Sequence, residues 1–294
     1  MHKFLRSVGF SNKKREELEK IFDDIIQYPT VHKSATDSEG NEFVEITKEF
    51  GDFFGITLRG IYRENEIFEV EYYYPYFFGK NISTREQVDV EKHAEKESYA
   101  GICDEVRLGV TLIFYLQNVA DYLALKNKKG YQSLSEGVVL GALSTEGKIL
   151  LPINKTEKQI RDSKKESRER SHLIAAAREG DEDAIENLTL EDMDTYSLIS
   201  KRITHEDILS IVDSCFMPYG IESDQYSVIG EIMDCVLLQN ELTGENVYAL
   251  DILCNDMPFS VCINQMDLLG EPQVGRRFKG TVWMQGSVKY RDFN

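Results

Sequence analysis

The sequence predicts an α+β fold in three segments: an N-terminal antiparallel sheet with helices at 1–154, a helical connector at 155–203, and a C-terminal small OB-like β-barrel at 204–294. Three observations carry that prediction. Apolar residues between 42 and 78 alternate with more polar ones, the period of a half-buried strand. Residues 155–170 are mostly charged and read as a solvated helix. From about Tyr226 onward strand patterns return, separated by turn residues and glycines.

Taken in order, Leu18, Ile21, Phe22, Ile25 and Ile26 fall at helical spacing, with Ser11 as cap and Pro29 as stop, so a helix is expected between them. Val44 and Ile46, then Phe54, Ile56, Leu58 and Tyr62, then Phe68, Val70, Tyr72, Tyr74 and Tyr76 give the strands of a meander. Its turns fall at Gly51-Asp52 and from Arg63 to Glu66. Val106, Leu108, Val110, Leu112, Phe114 and Leu116 form one face of a further strand. The spacing from Val119 to Lys129 allows helix or strand, and we read it as helix. Gly137 to Leu143 with Ile149 to Leu151 reads as a hairpin around Glu146-Gly147.

In the connector, Thr156 and Gln159 fit a capping box, and Glu157/Arg161 and Glu166/Arg170 have the favourable four-residue spacing. Leu173, Ile174 and Ala175 to Ala177 give this helix a surface to dock before Gly180 ends it. Shorter helical patterns follow to about Arg202, with a cap suggested at Thr189 and Asp192 and with Met193, Tyr196, Ile199 and Ile203 on one side. The C-terminal strands are expected at Tyr226 to Gln239, Val247 to Cys254, Phe259 to Ile263 and Arg277 to Gln285, with a turn from Thr243 to Asn246. Gly230, Gly275, Gly280 and Gly286 mark places where such strands bend into a barrel. The stretch AAREGDEDAIENL resembles one helical-repeat unit but occurs once, so no solenoid is expected.

With 34 basic and 51 acidic residues the formal net charge is -17, which opposes binding to nucleic acid or to an anionic membrane. Residues 204–294 carry five basic and fourteen acidic side chains, a poor field for a nucleic-acid-binding barrel. No uninterrupted apolar run approaches the roughly 20 residues needed to cross a bilayer. Arg6 interrupts the opening MHKFLRSVGF too early for the core of an export signal. Five widely spaced cysteines, an odd number, then point to reduced thiols in the cytoplasm.

The five histidines are scattered, and none stands at metal-ligand spacing from a cysteine or another histidine. Cys254 and Cys262 lie on consecutive expected strands; buried structural thiols are preferred there over a metal or redox pair. His205-Glu206-Asp207 and Glu191-Asp192-Met193-Asp194 offer acid–base or cation chemistry, but both sit where helices are expected to start, which favours capping. Nucleophile-elbow, phosphate-loop and dinucleotide patterns are absent from the sequence, so no catalytic, cofactor or metal residue is assigned and no cofactor is expected. The run Tyr72 to Phe78 lacks the basic neighbours of a base-stacking platform and is read as core. In GRRFKGTVWMQG, alternation sets Phe278, Val282 and Met284 against Arg277, Lys279, Trp283 and Gln285. That second face is the interaction candidate, with docking against the chain's own helical bridge as its competitor.

The segments MHKFLRSVGFS, LIAAAREGDEDAIENLTLEDMDTYS, CNDMPFSVCIN and GRRFKGTVWMQG together resemble an uncharacterised family of clostridial-type bacterial proteins, a domain of unknown function. The resemblance spans the chain. It implies a bacterial cytoplasmic origin and carries over no activity, substrate or functional residue. The expected function is therefore a non-enzymatic interaction or regulatory role with a protein partner. An enzyme with a carboxylate or metal-assisted site between the domains, and single-stranded nucleic-acid binding by the barrel, are the alternatives.

Overall fold

The computed structural model describes residues 2–36, 40, 42–63, 67–92, 98–127, 135–153, 156–221 and 223–290, without the side chains of 160, 163 and 164. Its first element is a 3₁₀ turn at Lys3–Val8 that buries Phe4, Leu5 and Val8 and ends on Gly9, whose φ of 81° suits a residue without a Cβ. Helix α1 (Arg15–Gln27) buries Leu18, Ile21 and Ile25. Its start is Lys14 rather than Ser11: the Glu17 carboxylate accepts from the Lys14 N–H at 2.8 Å, while the Ser11 N–H turns to Glu245.

Strands β1 (Val31–Thr36), β2 (Glu42–Gly51), β3 (Phe54–Tyr62) and β4 (Phe68–Phe77) form an antiparallel sheet in chain order, in which β2 to β4 are the expected meander and β1 is a strand the sequence pattern did not mark. The β2–β3 turn lies at Gly51 to Phe54. The turn expected up to Glu66 lies partly outside the described residues. After β5 (Ile82–Thr84), β6 (Asp89–Lys92) and β7 (Tyr99–Glu105), the chain departs from the strand expected over 106–116. Val106–Leu108 is a 3₁₀ turn closed by Gly109 at φ 69°, and only Val110–Leu116 is strand, β8. The Glu105 carboxylate makes the difference, because it accepts the Arg107 N–H at 3.0 Å and stabilises the turn.

Helix α2 (Val119–Lys126) is followed by β9 (Ser135–Leu150), one continuous strand where a hairpin around Glu146-Gly147 was expected. Long-range pairing overrides the local turn signal: Gly147 lies opposite Gly280 and beside Leu268. Helices α3 (Glu157–Arg178) and α4 (Glu182–Ile203) form the connector, and the short helix α5 (Ile208–Ile211) follows it. Thr156 and Gln159 cap α3 as expected. Asp181 caps α4, and Thr189, expected as a cap, bonds the Ile185 carbonyl within one unbroken helix.

The remaining strands are β10 (Cys215–Pro218), β11 (Gln225–Gln239), β12 (Asn246–Cys254), β13 (Met257–Asn264), β14 (Leu268–Leu269) and β15 (Arg277–Tyr290). They join β5 to β9 in a mixed eleven-stranded sheet. Within it β11 pairs with β12, β12 with β13, β13 with β9, β9 with β15, and β15 again with β11. The ladder between β9 and β15 runs from Arg277 to Tyr290 and crosses the boundary drawn at 154/155.

One core lies on the side of these strands that carries Leu140, Val228, Leu250, Val261, Phe278 and Met284; α2 and β8 extend it. A second is formed by the opposite side, with Leu143, Ala249, Cys262 and Trp283, against α1, the N-terminal 3₁₀ turn and β2 to β4. Gly141 makes the contact between the sheets close. A Cβ there would lie 2.1 Å from the Phe77 carbonyl oxygen.

Candidate functional site

Arg277 is buried and donates to the Leu209 and Val212 carbonyls at 2.8 and 2.6 Å, and to Leu151 at 3.0 Å, so it holds the end of α5 against β15. Burial pulls its guanidinium below the ordinary arginine value. Trp283 donates its indole N–H to Asp224 at 2.7 Å and stacks on Phe4 with centroids 5.2 Å apart. Gln285, fully buried, accepts from the Phe77 N–H and donates to the Pro75 carbonyl. With Gln117 it satisfies the backbone of β4 where that strand meets the larger sheet. Lys279 is half-buried. Three of the four residues of the sequence-derived interaction face are thus engaged by the chain itself.

Cys254 and Cys262 are not brought together. Cys254 lies opposite Met257 at the hairpin turn and Cys262 opposite Ala249, toward the other end of the ladder. Their thiols donate to the carbonyls of Cys215 and Ser7 in different cores. Burial pushes the Cys254 thiol up to about 12 and raises that of Cys262 as well. Asp207 does cap α5, through the Leu209 N–H at 2.8 Å. Glu191 and Asp192 instead lie inside α4, facing Arg170 of α3 at 3.5 and 2.8 Å. The aromatic run packs as core, with Tyr74, Tyr76 and Phe77 buried.

A buried polar cluster went unread in the sequence. Arg59 and Glu45 are paired residues of β3 and β2, and their side chains are 1% and 6% exposed. The guanidinium donates to Glu45 at 2.9 Å, to the Tyr115 hydroxyl at 2.7 Å and to the Leu116 carbonyl at 3.1 Å. The rings of Phe43, Tyr74 and Tyr115 surround it. Glu45 also accepts from the Ala120 N–H at the start of α2, where the helix dipole favours a carboxylate. This cluster is a joint between sheets. Its hydrogen bonds are directed at the protein, which leaves its groups committed to packing rather than to a ligand.

The exposed chemistry is concentrated on the α3–α4 arm. Ser167 bonds Asp256 at 2.6 Å in the β12–β13 turn, and Ile174 approaches Gly109, so the body holds one side of α3. Helix α4, 22 residues long, buries only Ala184. Ile185, Leu190, Met193, Tyr196, Leu198 and Ile203 are exposed, Tyr196 by 75%. A hollow of about 660 Å³ between α3 and α4 is lined by Glu169, His172, Leu173, Leu190, Glu191 and Asp194 among others. A second, of about 450 Å³, lies between α3 and the body, lined by Arg107, Ser167, Arg168, Ser171, His172 and Asp256. His172 borders both. Among the described residues, no group of three or more His, Cys, Asp or Glu side chains is arranged to hold a metal ion. No described helix is long and apolar enough to cross a membrane.

Residues 5–286 match the family described as "Domain of unknown function, E. rectale Gene description (DUF3881)". The chain belongs to this family. Comparison with curated proteins and with solved structures finds no match. The matched span of the DUF3881 domain takes in both sheets, the buried Arg59 joint and the whole arm. Its description assigns no activity.

Proposed function

We propose that this chain is a non-enzymatic cytoplasmic protein that acts by binding another polypeptide, and that its docking element is the α3–α4 arm. The observation that carries this reading is the burial of α4. A helix of 22 residues that packs mainly on α3, buries one alanine and exposes six large apolar side chains keeps most of its apolar surface uncovered by its own chain. Engagement of Arg277, Trp283 and Gln285 inside the fold moves the docking surface from β15 to the arm. The same reading takes the circuit of β11, β12, β13, β9 and β15 as a small OB-like barrel, supported by the β15–β11 ladder. That barrel is the rigid body to which the arm is tethered.

The test is affinity recovery with the full-length tagged chain. Met193→Lys with Tyr196→Lys places two charges on the exposed side of α4 and leaves both cores untouched. Recovery of a bound polypeptide, a second copy of the chain included, is expected to drop at least about tenfold, with an unchanged circular-dichroism spectrum. Equal recovery by wild type and variant refutes the arm as the docking element. The hollow lined by Glu169, His172, Glu191 and Asp194 is the best place for the carboxylate-based enzyme alternative. Stabilisation by a metal ion or metabolite that is lost in His172→Ala would favour that alternative.

A further inference from the structure

The two helices of the arm carry opposite charge. On α3, Lys158, Arg161, Lys165, Arg168 and His172 recur at steps of three, four, three and four residues, which sets them in one stripe along the helix. All five are exposed. In a chain of net charge -17 this is a local reversal of sign. On α4, the six carboxylates Glu182, Asp183, Glu186, Glu191, Asp192 and Asp194 fill the first thirteen positions, and its two cations, Lys201 and Arg202, stand in the last turn.

We propose that the partner of the arm is a second copy of this chain, docked about a two-fold axis so that the basic stripe of α3 in each copy lies against the acidic, apolar side of α4 in the other. The inference rests on reading the arm as the docking element and names its occupant. Inside one chain Arg170 already pairs with Glu191 and Asp192, Lys165 with Glu169, and Arg202 with Glu206. Lys158, Arg161, Arg168, Glu182, Asp183 and Glu186 form no ion pair with a described residue, so both signs are available to a second copy.

Shape and apolar content fit the same arrangement. Both helices have 22 residues, about 33 Å of length at 1.5 Å per residue, and two such hairpins brought together form an antiparallel four-helix bundle. Ile185, Met193, Tyr196 and Ile203 are then covered by the methylene stems of lysine and arginine, whose charged heads reach Glu182 and Glu186. A two-fold interface must be complementary to itself, and an arm with one basic and one acidic helix meets that condition. A phosphate polymer would meet the α4 carboxylates beside the stripe, which disfavours it.

The experiment is sedimentation equilibrium of the full-length chain, with charge-reversed variants. Wild type is expected to dimerise, more weakly at high salt. Arg161→Glu/Lys165→Glu/Arg168→Glu and, separately, Glu182→Lys/Glu186→Lys are each expected to raise the dissociation constant about a hundredfold. Mixing the two restores association, because each reversed helix then faces an opposite charge in the heterodimer. Circular dichroism checks the helices; the milder Glu182→Gln/Glu186→Gln variant, expected to weaken the dimer about tenfold, stands in if the reversal unfolds α4. A monomeric wild type, a mixture that stays monomeric, or single-stranded oligonucleotide binding abolished by the α3 variant overturns the proposal. A monomeric wild type whose binding to a different protein is still lost in Met193→Lys/Tyr196→Lys removes the second copy as occupant and leaves the arm as docking element.

Discussion

Arg59 combines a full charge with near-complete burial, and it is kept there by Glu45, Tyr115, Tyr74 and a backbone carbonyl acting together. Replacing it with methionine leaves the Glu45 carboxylate buried without its counter-charge. Arg59→Met is expected to lower unfolding free energy by about 4 kcal/mol in urea titration, and the added change Glu45→Met to recover part of that loss. Glu105 offers a pH-dependent case. Burial pushes its carboxyl up, but hydrogen bonds from Arg107 and Thr84 outweigh burial and hold it below the ordinary value. A carboxyl depressed in the folded state contributes stability above its unfolded pKa and loses it as pH falls through the folded one. The stability gap between wild type and Glu105→Gln is therefore expected at neutral pH and to close in acid, as read from denaturation midpoints. Cys103 and Cys254, both pushed up to about 12 by burial, and Cys262, raised likewise, should resist iodoacetamide until the chain unfolds.

At the scale of elements, the sheets approach each other where β9 passes the end of β4. Gly141 is required there by backbone proximity, since a Cβ would lie 2.1 Å from the Phe77 oxygen, and a Cβ on Gly79 would lie as close to the Leu140 oxygen. Gly141→Ala is expected to destabilise the fold by about 3 kcal/mol or more, measured by thermal and urea unfolding. The connector behaves in the opposite way. Helix α4 packs mainly on α3 and buries one side chain, so its amides should exchange with deuterium about a hundredfold or more faster than those of β9 in dilute solution. If a second copy covers the arm, that difference shrinks as protein concentration rises.

For the molecule as a whole, the surplus of carboxylates sets a background of self-repulsion that salt screens. Against that background the α3–α4 arm is a charged couple: basic on one helix, acidic on the other. Added salt should raise the melting temperature of the body while weakening the proposed association through the arm, and the two trends separate in calorimetry and sedimentation on the same samples. Agreement in sign between them would argue that the arm's charges play no part in association.

Local pattern alone located α1, the β2–β4 meander, the capping box of α3 and the strands β11, β12, β13 and β15, because each of these rests on side-chain period and on turn or cap residues a few positions apart. The sequence also marked α4 as helical with Met193, Tyr196 and Ile203 on one side, without saying that this side would stay bare. Only the tertiary structure decided that β9 runs straight through Glu146-Gly147, that the β9–β15 ladder joins the first segment to the third, and that Arg59 is sealed beneath β8 and α2. It also decided that Arg277, Trp283 and Gln285 are spent on α5, Asp224 and the edge of β4. The physical reason is common to these cases: a backbone group or a charged side chain takes whichever partner the distant chain brings to it, and sequence periodicity records which face is apolar but not what arrives to cover the other.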